Sequence, residues 1–165
     1  MANYLDAILS IDSTYEVSIS GDPSVYSNID WGSETPIAQA TLDAILSTAN
    51  LNQAKTIKRL EIKAKRNEAL SRYVNYSGND HEMSSATFSY LIGASAFVSG
   101  GGTLSGTFKV PLTDGTGVVA DATYVQGLLS NTMSQQKNYM DTYITKMASI
   151  DAATDIATVE AITWS

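Results

Sequence analysis

Between Asp121 and Ile150 apolar residues recur at helical spacing: Tyr124/Val125, Leu128/Leu129, Met133, Tyr139/Met140, Tyr143/Ile144, Met147 and Ile150. A period near 3.6 sustained over that length reads as one long amphipathic helix. Asp121 stands where an N-cap is needed. The face carrying Leu128, Leu129, Tyr143 and Ile144 is expected to be buried. With 165 residues in all, the chain has room for one modest domain, or a compact domain with an elongated extension.

The segments before this helix supply its packing partners. Residues 3–11 fit a short helix or arm. Tyr15-Glu16-Val17-Ser18-Ile19 alternates with period two, so Tyr15, Val17 and Ile19 share a face. Gly21-Asp22-Pro23-Ser24 is turn chemistry, and Val25 to Trp31 reads as the return strand of a small hairpin. Thr35-Pro36 predicts a helix start, Thr35 as cap and Pro36 at the first helical position. Leu42, Ile45, Leu46 and Ala49 continue it, Asn50 to Asn52 offer an interruption, and helical spacing resumes from Gln53 to about Tyr76.

That second stretch holds seven of the ten basic residues: Lys55, Lys58, Arg59, Lys63, Lys65, Arg66 and Arg72. Its apolar positions fall on two weak stripes, Ile57-Leu60-Ala64 and Ile62-Ala69-Tyr73. A helix used from two sides, or in an oligomeric bundle, has this pattern. Ile57, Leu60, Ile62, Lys63, Arg66 and Tyr73 are therefore the candidate partner-binding residues. Ser77-Gly78-Asn79-Asp80 breaks the chain, and residues 85–98 predict a short apolar helix through Phe88, Leu91, Ile92 and Ala96. After a flexible Ser99-Gly100-Gly101-Gly102 loop, Thr107 to Leu112 and Gly117 to Ala120 flank Asp114-Gly115, a strong hairpin signal. A last short helix follows Asp151 or Thr154 and ends at Ile162-Thr163-Trp164. The expected fold class is α+β, mostly helical, with two small β-hairpins. The expected division is an arm and hairpin in residues 1–35 and a helical domain with an inserted hairpin in 36–165.

Composition narrows the function classes. Charged residues make up only 16% of the chain against 44% hydrophobic ones. Such a surface repels neighbours weakly, as suits a protein packed against partners. A net charge of −7 argues against binding nucleic acid or anionic lipid. The start, Met-Ala-Asn-Tyr-Leu-Asp, lacks a basic region ahead of an apolar run, so no secretory signal is expected. No run of 18 apolar residues occurs, so no membrane insertion is expected.

Catalytic and metal-binding constellations are hard to assemble from these residues. Cysteine is absent, which removes thiol nucleophiles, thiolate metal sites and disulfides. His81 is the sole histidine, which excludes two-histidine zinc sites, and within Asn79-Asp80-His81-Glu82 it reads as a solvated loop residue. Gly100-Gly101-Gly102 lacks the lysine and spacing of a phosphate loop. Asp114-Gly115-Thr116-Gly117 lacks the alternating ligands of a calcium loop. Asp151 and Asp155 read as helix-capping carboxylates. No enzyme activity and no cofactor are expected. Nine tyrosines against three phenylalanines favour contact surfaces with a polar tip; Tyr139 and Tyr143 are candidates, with simple core packing the stronger reading for both.

Two stretches together resemble bacteriophage tail proteins. The first runs from Tyr15-Glu16-Val17-Ser18-Ile19-Ser20-Gly21 through Tyr26-Ser27-Asn28-Ile29-Asp30-Trp31 to Pro36. It is similar to the aromatic-capped hairpin of tail-fibre and fibre-assembly proteins. The second covers about residues 53–164 and resembles an uncharacterised domain of phage tail-fibre and tail-assembly proteins. The likeness rests on the basic helix Ile62-Lys63-Ala64-Lys65-Arg66-Asn67-Glu68-Ala69-Leu70, the Asp80–Ser85 turn, the hairpin at Thr113-Asp114-Gly115-Thr116, the long helix, Ile150-Asp151-Ala152-Ala153-Thr154, and Trp164. Phe108 stands where that family usually has tryptophan, and the Gly100–Gly106 loop is expanded. The resemblance implies a non-enzymatic virion component, a tail fibre or baseplate-associated protein made in the host cytoplasm. Its implied partners are copies of itself, with a trimer as the family-level expectation, and other tail or baseplate proteins. A fibre-assembly chaperone not retained in the particle is the alternative implication.

Overall fold

The computed structural model describes residues 2–164. The fold is α+β and mostly helical, with five α-helices and three two-stranded antiparallel sheets among the described residues. Two units divide the chain: residues 2–61 with Met147–Thr163 form the first, and Ile62–Lys146 the second. Ile37, Leu42, Ile45 and Leu46, which follow residue 35, pack with the N-terminal helix residues Tyr4, Ala7 and Ile8.

In the first unit, α1 (Tyr4–Ile11) begins at a capping box: Asn3 Oδ1 accepts from the Asp6 amide at 3.1 Å, and Asp6 Oδ2 accepts from the Asn3 amide at 2.9 Å. Tyr4, Ala7 and Ile8 share one face and are buried. Strands β1 (Ser18–Ile19) and β2 (Ile29–Asp30) pair as Ser18↔Asp30 and Ile19↔Ile29. The expected return strand from Val25 shrinks to two residues because Tyr26–Asn28 forms a 3-10 turn. Tyr15, Val17 and Ile19 pack together, as the alternation implies, against a core of Tyr4, Ala7, Ile8, Ile29 and Leu42. Replacing Asn3 with Ala should lower stability by about 0.5–2 kcal/mol in denaturant unfolding, with Asn3→Asp close to wild type. An unchanged unfolding midpoint for Asn3→Ala would show the cap to be idle.

Helix α2 (Gln39–Leu70) starts later than Thr35-Pro36 suggests. Ile37 packs against the core and its carbonyl accepts the Tyr26 hydroxyl at 2.6 Å, which keeps 35–38 out of the helix; Ala38 O accepts the first amides, Thr41 and Leu42. The helix also runs through Asn50 to Asn52 without a break. Asn50 Oδ1 accepts from the Ala2 amide at 2.9 Å, so its side chain serves a distant segment and does not compete for the helix's own backbone. Also in the first unit, the last turn of α4 (Ala122–Ala152) leads to α5 (Ile156–Glu160), capped by Asp155 on the Thr158 amide at 2.7 Å. Ile150, Ala153 and Val159 are buried there.

In the second unit a third hairpin occupies the place where Ser77-Gly78-Asn79-Asp80 suggested only a break. Strands β3 (Val74–Tyr76) and β4 (Asn79–His81) pair as Val74↔His81, Asn75↔Asp80 and Tyr76↔Asn79. The two connecting residues, Ser77 and Gly78, have φ of 51° and 77°, the positive values a two-residue hairpin turn demands. Helix α3 (Ser85–Ser99) is capped by Ser84. Strands β5 (Lys109–Pro111) and β6 (Gly117–Val119) form the hairpin expected at Asp114-Gly115, where Gly115 takes φ 82° and Asp114 Oδ1 accepts from the Thr116 amide at 2.9 Å. Val74, Met83, Leu91, Ala94, Val110, Ala120, Val125 and Leu128 make the core. Asp121 caps α4, as its position implied, by accepting from the Tyr124 amide at 2.8 Å.

Candidate interaction surface

In the first unit the basic run is turned largely onto the chain itself. Lys55 Nζ donates to the Asp151 carbonyl at 2.8 Å, and Arg59 pairs with the Asp151 carboxylate. Both cations therefore sit at the C-terminal end of α4, where unsatisfied carbonyls and the negative helix pole favour them. Lys58 pairs with Glu61 at 2.7 Å. At about 100° per residue, Ile57 and Leu60 lie roughly opposite Lys55 and Arg59. They are 59% and 63% exposed.

In the second unit the remaining candidate residues separate. Ile62 is completely buried and Ala69 nearly so, which occupies this stripe within the chain and removes Ile62 as a partner-binding residue. Tyr73, on the same predicted stripe, is exposed, because α2 ends at Leu70 before the stripe reaches it. Arg66 holds its guanidinium 4.6 Å from the centre of the Tyr143 ring and bonds Asn67 Oδ1 at 2.7 and 3.1 Å. Tyr143 thus packs internally. Glu68 is bonded by Arg72 at 2.7 Å and Lys65 at 3.1 Å, and these hydrogen bonds, Arg72's first, hold its carboxyl below the usual range. Lys63 is exposed. Pairs this exposed are screened by solvent and contribute little to stability.

The sequence pattern also missed surface on α4. Met133, Met140 and Ile144 are exposed, although each belongs to the apolar series that defines the helix. On α3, Ile92, expected in its apolar stripe, is likewise exposed. Beside it Tyr90 stacks on Phe108, ring centres 5.0 Å apart and planes 9° apart, and Phe97 lines the same groove.

His81 overturns its expected place. It is fully buried, and burial pushes its pKa below the ordinary value, partly countered by its bond to the Pro111 carbonyl. Among the described residues no group of three or more His, Cys, Asp and Glu side chains is placed to hold a metal ion. No helix among them is long and apolar enough to cross a membrane. What the arrangement presents chemically is contact surface: exposed apolar side chains on long helices, bordered by ion pairs. Compared with protein-family models, curated proteins and solved structures, the chain matches none.

Proposed function

We propose that this chain is a non-enzymatic structural component of a bacteriophage tail, a tail-fibre or baseplate-associated protein that acts through protein–protein contacts. The observation that carries the reading is the exposure of Ile57 and Leu60, one turn apart on a long helix. Large apolar side chains grouped on a charged helix mark a surface meant to be covered. The tail assignment itself is supported by the resemblance of the hairpin and of residues 53–164, and it makes a second copy and neighbouring tail proteins the partners. Charge sets orientation and association rate, while the apolar residues supply most of the affinity.

Sedimentation at micromolar concentration tests the contact. The wild-type chain is expected to sediment as an oligomer, the Ile57→Asp, Leu60→Asp double variant as a smaller species, and high salt to weaken assembly only modestly. Because both side chains are exposed, the variant should keep the wild-type circular dichroism. A wild-type monomer would remove the support for self-association through α2. Mass spectrometry of purified particles separates the two forms of the proposal. A retained chain is a tail component, and a chain found only in infected-cell lysate is an assembly chaperone.

A further inference from the structure

His81 joins three elements of the second unit. Its Nδ1 lies 3.2 Å from the Pro111 carbonyl, an acceptor only, so this nitrogen carries the proton and donates. The bare Nε2 then accepts from the Tyr124 hydroxyl at 2.8 Å. That hydroxyl oxygen also receives Asn79 Nδ2 at 3.2 Å and stands 3.4 Å from the Tyr76 carbonyl. Around the ring, the main chain of β4 meets the end of β5: His81 bridges Leu112, and the Thr113 amide donates to the Asp80 carbonyl at 3.0 Å.

We propose that His81 is a pH-sensitive latch, which when neutral fastens the β3–β4 hairpin to the β5–β6 hairpin and to α4, and when protonated releases them. A second proton on Nε2 turns the acceptor into a donor. Tyr124 must then swing its hydrogen from the 2.8 Å bond to the longer approach at the Tyr76 carbonyl. The groups that meet the ring from β5 and α4 are a carbonyl and a phenol, and β3 contributes the Tyr76 carbonyl behind that phenol. None is a carboxylate. On β4 itself Asp80 draws the imidazole pKa upward, but its carboxylate is exposed and engaged by Asn75 Nδ2 at 2.7 Å; Glu82, next in the chain, is exposed. A buried imidazolium here has no counter-ion in the pocket.

The sign follows from the depressed value. Once opened, His81 returns to about 6.5, so the open state takes up the proton first. The latch holds fully above that pH and weakens as pH falls towards the folded value. One proton allows at most about a tenfold change in the opening equilibrium per pH unit. Hydrogen exchange at the Thr113 amide reads the latch directly. Corrected for intrinsic exchange, its protection should drop up to about tenfold between pH 7.5 and 5.5, while α1 amides keep theirs and His81→Gln abolishes the difference. Unchanged protection in the wild type, or an equal loss in His81→Gln, overturns the proposal. Should that variant fail to fold, the imidazole shift of the sole histidine in the wild-type protein decides: a midpoint below 6.5 supports the latch and one at or above it refutes it.

Discussion

Leu128→Ala should destabilise the protein by roughly 2–5 kcal/mol, while Ile144→Ala, on the same helix, should stay within about 0.5 kcal/mol of wild type. Leu128 is completely buried among Val125, Leu91 and Val110. Truncating it removes three side-chain carbons from a packed interior and leaves a cavity the neighbours fill only in part. Ile144 is 60% exposed and has little burial to lose. Denaturant unfolding of the two variants at one pH measures the difference. Equal losses would mean that α4 presents a different face to the core, and a negligible loss for Leu128→Ala would remove this helix from the core altogether.

The contrast between these two leucine-like positions shows where the sequence was legible. Helical spacing established that α4 exists, and Asp121 established its start, because both signals are local. Which apolar stripe turns inward was not readable: Leu128 and Ile144 were expected on one buried face, and Leu129 is only half-buried. Apolar residues cover much of the helix circumference, so periodicity alone does not choose between stripes. A polar residue also takes a core position: Thr132 is buried, its hydroxyl donating to the Leu128 carbonyl at 2.8 Å and so leaving no polar group unpaired.

The third hairpin stayed hidden for a related reason. Asn79, Asp80 and His81 look like solvated loop, yet Asp80 is matched by Asn75 and His81 by Tyr124 and Pro111. Partners distant in sequence make a polar strand acceptable, and only the Ser77-Gly78 pair between Tyr76 and Asn79 hinted at the turn. The start of α2 failed likewise. Thr35-Pro36 is a sound local signal, but the contact that Ile37 gains in the core outweighs an extra turn of helix. For the candidate surface, composition and two weak stripes singled out α2. They could not tell the buried Ile62 from the exposed Ile57 and Leu60, since helical spacing alone does not say which stripe the rest of the chain covers.

Gly127→Ala should destabilise the second unit even though alanine favours helix over glycine by about 1 kcal/mol. Gly127 lies inside α4, where a β-carbon would overlap the Tyr76 hydroxyl and come 2.7 Å from its Cζ. The ring cannot swing away freely. It packs edge-on against Tyr124 with centres 5.1 Å apart and borders the core cluster. Forcing it out is overpacking, at a cost of roughly 1–3 kcal/mol that outweighs the helix gain. In a Tyr76→Ala background the obstruction is gone, so the same Gly127→Ala change should raise stability by up to about 1 kcal/mol. The double-mutant cycle over these two positions should therefore show a coupling of roughly 1–3 kcal/mol. Additive effects, or a Gly127→Ala protein more stable than wild type, would mean that Tyr76 does not occupy the space the missing side chain leaves, and that the glycine serves no packing purpose in this helix.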